Sequence, residues 1–155
     1  MPRPKATPFL WFEKDAEKAA ELYVSLIPNS SVTGSQFGPD GSVFVVSFTL
    51  DGVPYTALNG GPHYKLSCAF SISVTCDDQE EVDRLWAALG EGGEEKPCGW
   101  LTDRFGLSWQ IMPRAYFELM GRGSGEQSGR VQTAAMAMKK IDIAVLQHAF
   151  DGNTA

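Results

Sequence analysis

The chain has 155 residues, a length typical of one compact domain or of two small halves that share a core. Hydrophobic residues make up 43% and charged residues 21% of the chain, which is ordinary for a globular protein. The formal net charge is -6 and no basic cluster is present, which argues against nucleic-acid binding by neutralisation of phosphates.

The N-terminal third predicts a strand, a helix and a hairpin. "FLWFEKDAEKAAELY" begins with an apolar run and continues as a helix from about Asp15 to Leu26, with Asp15 as N-cap. Pro28 and Asn29 end the helix. "SVFVVSFTL" alternates as a strand, and Asp51-Gly52 predicts a hairpin turn into "VPYTALNGG". The bulky face of this strand consists of Phe44, Val46, Phe48 and Leu50.

The middle of the chain predicts the same kinds of element again. A second helix starts at Asp78, with Glu81 at capping-box spacing, and ends at the glycines that begin with Gly90. "SCAFSISVTC" before it and "LSWQIM" after it alternate as strands. In the first of these, one face is bulky (Cys68, Phe70, Ile72, Val74, Cys76) and the other is small (Ala69, Ser71, Ser73, Thr75). In the second, Leu107, Trp109 and Ile111 alternate with Ser108, Gln110 and Met112.

The two helical segments match at one constant offset, which places Asp15 with Asp78 and Leu22 with Leu85. The same offset places "PDGSVFVVSF" against "TDRFGLSWQI". Chance similarity of two amphipathic helices is the alternative to a duplication. We predict an α+β fold of two repeated βαβββ modules, 7–62 and 66–113. Their mixed sheet would form a cup, with helices outside and the smaller residues lining it.

Residues 114–150 break the repeat and predict a C-terminal helical extension. "RAYFELM" predicts a short helix, "GRGSGEQSG" a flexible linker, and "RVQTAAMAMKKIDIAVLQHAF" one long amphipathic helix. This helix either packs against its own sheet or covers a second copy of the chain. Its apolar side consists of Val131, Ala134, Ala135, Met138, Ile141, Val145 and Leu146.

Three cysteines, Cys68, Cys76 and Cys98, are odd in number and form no C-x-x-C pair. This pattern favours free thiols in a reducing compartment. Cys68 and Cys76 fall on the bulky strand face, where we expect inert core thiols. The first twelve residues lack the pattern of a secretion signal, and no stretch approaches the ~20 apolar residues of a membrane span. We therefore expect a cytoplasmic protein without a membrane partner.

Several stretches resemble one family. The double strand-helix-strands repeat resembles the vicinal oxygen chelate superfamily, which includes glyoxalases, extradiol dioxygenases and bleomycin-resistance proteins. "FLWFEKDAEKAAELY", "ALNGGP", "CGWLTDRFGLSWQI" and "AMKKIDIAVLQHAFDG" resemble its PhnB-like branch more closely. The resemblance covers nearly the whole chain, so 1–155 is expected to be a single domain of this type. Members of the branch often carry a demethylubiquinone methyltransferase name, yet no Gly-rich turn of a nucleotide-type cofactor site follows a strand here.

The resemblance also implies a test for a metal. Enzymes of the superfamily hold a divalent metal with His and Glu side chains from the first, fourth, fifth and eighth strands. The corresponding positions here are a first strand without His, Asp or Glu, then Asn59, Ala69 and Gln110. Only His63 and His148 exist in the chain, and they form no H-x-x-x-H pair. We expect no metal and no cofactor.

A polar and aromatic set remains as the candidate ligand site, and no complete nucleophile and base set can be identified. Asp103 capping its own turn and Trp109 lying in the core are the structural alternatives. The preferred interpretation is a metal-free homodimer that binds a small organic molecule in the cup. The alternatives are a metal-dependent glyoxalase or dioxygenase-type enzyme, with His63 as one ligand, and an inert assembly module. The candidate ligand-binding residues are Trp11, Asn59, Ser71, Trp100, Asp103, Trp109 and Gln110.

Overall fold

The computed structural model describes residues 3–152, which divide into two compact units with a boundary between Leu66 and Ser67. Each unit contains one βαβββ module with a four-stranded mixed sheet. The predicted α+β class with two such modules and C-terminal helices is confirmed. No helix within residues 3–152 has the length and apolar character needed to cross a membrane.

The first sheet has the strand order β1-β4-β3-β2, in which β1 runs parallel to β4 and the other pairs are antiparallel. Helix α1 covers the face that carries Val46, Phe48 and Leu50, as the alternation predicts. Phe44 belongs to the same alternation but is 49% exposed, so the buried face begins only at Val46. The elements of this unit are β1 (Phe9–Phe12), α1 (Ala16–Leu26), β2 (Ser31–Phe37), β3 (Val43–Leu50) and β4 (Val53–Asn59).

The second sheet repeats this topology with the order β5-β8-β7-β6, and β5 runs parallel to β8. Its buried face packs on helix α2 through Leu85 and Leu89 of the helix and Trp109 and Ile111 of the sheet. The elements of this unit are β5 (Ser71–Cys76), α2 (Gln79–Gly90), β6 (Glu94–Glu95), β7 (Trp100–Thr102), β8 (Ser108–Pro113), α3 (Arg114–Arg122), α4 (Gly125–Ala137) and α5 (Ile143–Asp151).

The predicted correspondence between the later strands of the two modules is wrong. The constant offset aligns β3 with β8, but β3 is the third strand of its module and β8 is the fourth. The reason is a change of length between the modules: the hairpin of β2 and β3 uses strands of seven and eight residues, whereas β6 and β7 have two and three. The offset therefore holds for the helices and fails beyond them.

Cys68 and Phe70 were expected on the buried face of the fifth strand, and this expectation is wrong. The strand begins at Ser71, and the residues before it form a turn in which Cys68 and Phe70 are both exposed. Alternation of side chains between two faces applies only inside an extended strand. Ile72 and Cys76, which lie inside it, are buried as expected.

The expected flexible linker is largely helical. Helix α4 begins at Gly125, because the Ser124 side chain accepts the backbone N–H of Gln127 and the Gln127 side chain accepts the N–H of Ser124. This reciprocal capping box offsets the poor helix propensity of the two glycines in α4, Gly125 and Gly129.

The expected single long helix is two helices, α4 and α5, separated by residues 138–142. The backbone carbonyl groups of this segment accept hydrogen bonds from residues that are distant in the sequence. Cys98 N–H donates to Met138 O at 2.6 Å, and Gly99 N–H donates to Lys139 O at 2.9 Å. Asp142 then caps α5 through the N–H of Ala144. Tertiary hydrogen bonds outcompete the helical pattern here.

The apolar side of the extension packs within its own unit, which was one of the two predicted alternatives. Four residues of the predicted stripe are fully buried with Met112 of β8 in one cluster. Val145 is an exception and is exposed. The buried members are Val131, Ala135, Ile141 and Leu146.

Candidate functional site

The face of the second sheet opposite α2 carries a group of hydroxyl, amide and indole side chains. Strand register places Ser71, Ser108 and Thr102 in one row across β5, β8 and β7. The next row consists of Ser73, Gln110 and Trp100. Most of these side chains are half-buried or exposed within the unit, while Ser108 is 1% exposed. We call these two rows the polar face.

Hydrogen bonds fix four side chains of the polar face. Gln110 donates from Nε2 to Ser71 Oγ at 3.0 Å. Thr102 Oγ1 and Ser108 Oγ lie 3.3 Å apart and share one hydrogen bond. Met112 follows Gln110 on the same face and packs on the helical extension, so the extension covers one end of the polar face. The rest presents an ordered set of hydroxyl and amide groups beside the Trp100 indole.

Cys68 and Lys96 meet at the row of Ser71, Ser108 and Thr102. Lys96 Nζ lies 2.8 Å from Cys68 Sγ, and Thr102 Oγ1 lies 3.9 Å from the same sulfur. The hydrogen bond from Lys96, followed by those from Ser108 and Thr102, lowers the pKa of the Cys68 thiol from 9.0 to about 7. The same contact raises the pKa of the Lys96 ammonium.

The pKa values of the other two thiols are raised rather than lowered. Burial, followed by the nearby Glu81 carboxylate, raises the pKa of Cys76 to about 12. Burial also raises the pKa of the Cys98 thiol. Both groups therefore stay protonated near neutral pH, and Cys76 is a core thiol as predicted.

Three of the predicted ligand-binding residues, Ser71, Trp100 and Gln110, lie together on the polar face. Asp103 and Trp109 lie elsewhere, at the buried side of the sheet, with exposures of 3% and 0%. The Asp103 carboxylate accepts the N–H groups of Phe105 and Leu107 and, at 2.9 Å, Trp109 Nε1. This places Asp103 as the organiser of its own turn and Trp109 in the core.

The remaining two predicted residues, Trp11 and Asn59, belong to the first unit. Asn59 accepts the N–H of Ala16 at 2.9 Å and donates to Val43 O at 3.0 Å, so its side chain fastens the start of α1 to the sheet. Trp11 is half-buried and donates to Gly61 O at 2.9 Å. Its ring meets Tyr64 edge-on, with centroids 5.0 Å apart. Whether any of the seven residues contacts a ligand stays a prediction.

Two cavities were not anticipated from the sequence. One of about 570 Å³ lies between α4 and α5, where small residues such as Gly129, Ala134 and Ala149 line it. Another, of about 340 Å³, lies on the first sheet beside Arg3, Ser47 and Tyr55. Neither cavity includes residues of the polar face.

The donor set does not fit the divalent metal that the superfamily resemblance implies. Among residues 3–152, no three His, Cys, Asp or Glu side chains come together in an arrangement that could hold a metal. The amide at the eighth-strand position, Gln110, is bonded to Ser71, and Asn59 is bonded to the backbone. Neutral amide and hydroxyl oxygens alone are weak ligands for first-row divalent ions.

The contact between Cys68 and Lys96 was missed by sequence reasoning. The two residues are 28 positions apart, in a turn before β5 and just after β6, so no local spacing pairs them. The register of the sheet is the signal that could have indicated the contact. Because β5 starts at Ser71, Cys68 lies in the turn that precedes this strand. Placing that start correctly requires the pairing with β8.

Comparison with known proteins gives a consistent result. The model of the family described as 3-demethylubiquinone-9 3-methyltransferase matches residues 4–112. A Bacillus cereus protein described as a putative 3-demethylubiquinone-9 3-methyltransferase, PhnB protein, is 30% identical with a TM-score of 0.66, over 71% of this chain and 99% of that one. No curated protein matches significantly.

Two more distant solved structures share the fold. A Pseudomonas aeruginosa protein is 20% identical with a TM-score of 0.60, over 72% of this chain and 98% of that one. The fosfomycin resistance protein FosX of Listeria monocytogenes is 18% identical with a TM-score of 0.56, over 79% of this chain and 99% of that one. The chain therefore shares the fold of these two proteins.

Proposed function

This chain belongs to the family described as 3-demethylubiquinone-9 3-methyltransferase, the PhnB-like group with the vicinal oxygen chelate fold, and we propose that it binds a small organic molecule on its polar face. The observation that carries the proposal is the hydrogen-bonded pair of Gln110 and Ser71 beside the Trp100 indole. Binding in this proposal uses no metal, because the donor set does not fit one.

The chemistry of the polar face favours a particular class of ligand. Small-molecule sites combine apolar or aromatic surface with a few placed polar groups. Here Trp100 supplies the aromatic surface, and Ser71, Ser73 and Gln110 supply neutral donors and acceptors. The Lys96 ammonium, at the edge of this face, is engaged with Cys68. A neutral, polar aromatic molecule fits this set better than a multiply charged anion.

The test is a ligand-observed NMR screen of neutral polar aromatic fragments, followed by titration of the hits against variants. Gln110→Ala removes the amide that bonds Ser71, and we expect it to weaken hits at least fivefold. Gln132→Ala, an exposed helical position, is the matched control and should leave affinity unchanged. Hits that bind both variants equally would overturn the proposal.

We also propose that the protein is a homodimer in the cytoplasm. Three apolar side chains of the helical extension, Phe117, Met136 and Val145, are exposed within the chain, with Met136 at 61%. A second copy of the chain that packed on this extension would remove these apolar side chains from water. Free Cys68, Cys76 and Cys98 agree with a reducing compartment.

The association is tested by size-exclusion chromatography with light scattering. We expect twice the chain mass of 16.9 kDa, and Met136→Glu should shift the population to single chains. Glu126→Gln, an exposed change on the same helix, serves as control. A wild-type mass of one chain at high concentration would contradict the homodimer.

A further inference from the structure

We propose that Cys68 and Lys96 form a nucleophilic site that adds to α,β-unsaturated carbonyl compounds. The inference goes beyond the proposed function, since the thiol chemistry requires no ligand on the polar face. It rests on the position of four side chains: Cys68 Sγ, the Lys96 ammonium 2.8 Å away, and the hydroxyls of Thr102 and Ser108.

The residues around the pair are fixed by the sheet. Lys96 donates its backbone N–H to Trp100 O at 2.9 Å, which ties it to the start of β7. Thr102 lies in β7 and bonds Ser108, whose side chain is 1% exposed at the centre of the sheet. The sulfur thus faces the ammonium of a residue whose backbone is fixed to β7 and a hydroxyl that is itself hydrogen-bonded, while Cys68 is exposed within its unit.

The charge environment favours the thiolate. Lys96 and the neighbouring hydroxyls lower the pKa of Cys68 to about 7, so roughly half of the thiol is ionised at neutral pH. An ordinary thiol with a pKa of 9.0 is only ~1% ionised there. The Glu94 carboxylate also acts on this pair and favours the protonated form of Lys96 by raising its pKa.

The addition balances without any co-reactant. A sulfur lone pair of the Cys68 thiolate forms the S–C bond at the β-carbon, and the π electrons of the C=C bond move to the carbonyl oxygen as an enolate. The Lys96 Nζ–H group, already beside the sulfur, donates the proton that the enolate takes up, and solvent returns a proton to the amine. No group leaves and nothing is oxidised or reduced.

The expected acceleration is modest and calculable. The ~50-fold gain in thiolate at pH 7 is partly offset by the lower nucleophilicity of a more acidic thiolate, roughly a factor of 6–10. Cys68 should therefore react about 5–8 times faster at pH 7 than a thiol of ordinary pKa in the same position. Cys98 should react more slowly and Cys76 should not react in the folded protein, because burial keeps both protonated.

The experiment uses acrylamide as the α,β-unsaturated probe and measures the labelling rate of each cysteine against pH by peptide mass spectrometry. In wild type, the Cys68 rate should rise with a midpoint near pH 7. In Lys96→Met the midpoint should move towards 9, and the rate at pH 7 should fall by up to about 5–8-fold, the limit reached if the pKa returns fully to 9.0. Lys139→Met, which removes an exposed lysine of the same unit, should match wild type.

Two further measurements keep the test decisive. Lys96→Arg keeps the positive charge, so its midpoint should lie between those of wild type and Lys96→Met; circular dichroism establishes that each variant is folded. A wild-type midpoint near 9, or a profile that Lys96→Met does not change, would overturn the proposal. Labelling of Cys98 as fast as Cys68 at pH 7 would also overturn it.

Discussion

The two sheets have the same topology and different open faces. Both follow the order first, fourth, third, second strand of their module, with a parallel pair between the first and the fourth. Their buried faces are alike, with Phe48 and Val46 in the first sheet and Trp109 and Ile111 in the second. The second sheet alone carries the thiol and ammonium contact of Cys68 and Lys96.

The buried face and the open face of each sheet therefore have different roles. Burial of one apolar face on a helix is enough to specify the topology, and this requirement is met twice. The open face is free to differ because it does not pack on the module's own helix. Differences between the two modules in strand length and open-face chemistry therefore point to function rather than to folding.

The largest expected effect separates the buried face of the second sheet from its polar face. Trp109→Ala removes a fully buried indole, and we expect the free energy of unfolding to fall by about 3–5 kcal/mol. Trp100→Ala, on the half-buried polar face, should cost much less. Urea denaturation followed by circular dichroism measures both, and equal losses would contradict the assignment of the two faces.

The turn before β8 gives the next largest effect. Asp103→Ala leaves the N–H groups of Phe105 and Leu107 and the indole of Trp109 without their acceptor. We expect a loss of about 2–4 kcal/mol in the free energy of unfolding. The neighbouring Arg104→Ala is the matched surface control. A loss below about 0.5 kcal/mol for Asp103→Ala would show that the buried carboxylate does not organise this turn.

The N-terminal ends of α1 and α2 provide a smaller test, because different residues of the two modules accept the backbone N–H groups there. Asp78 accepts the Glu81 N–H at 2.9 Å and caps α2. The equivalent Asp15, predicted as a cap, makes no side-chain capping bond, and Asn59 bonds Ala16 instead. Asp78→Ala and Asn59→Ala should each cost about 1–2 kcal/mol, and Asp15→Ala under about 0.5 kcal/mol. A larger loss for Asp15→Ala than for Asn59→Ala in thermal unfolding would reverse this reading.

The smallest expected effect is that of a divalent metal. Because the described residues do not assemble a donor set, millimolar Mn²⁺ or Zn²⁺ should leave the Tm unchanged, and so should EDTA. Elemental analysis of protein purified without an affinity tag or chelator completes the test. One metal per chain would contradict the metal-free account and direct attention to His63.

The sequence predicts the fold better than the site for a physical reason. Alternation and helical periodicity report burial, so Val46, Phe48 and the helices α1 and α2 could be placed from the pattern alone. The break of the last helix at residues 138–142 depends on tertiary bonds to Cys98 and Gly99, which no local pattern encodes. The contact between Cys68 and Lys96 depends in the same way on the register of β5 with β8.

The candidate site was predictable where it follows from alternation and not where it follows from hydrogen bonding. Ser71 and Gln110 fall together because alternate residues of paired strands share a face. Asn59 and Asp103 are polar residues near the ends of strands, a position that suits ligand contact or a structural bond equally well. Their structural roles follow only from their hydrogen-bond partners, which include Ala16 for Asn59 and Trp109 for Asp103.

The most direct test of the account is a map of chemical-shift changes in the ¹⁵N-labelled protein on addition of a fragment that binds. The account predicts that the largest changes fall on the Trp100 indole N–H, the Gln110 side-chain amide and the backbone amides of Ser71 and Ser73. Changes confined to the groove between α4 and α5, or to the first unit, would contradict the proposal that the polar face is the binding site.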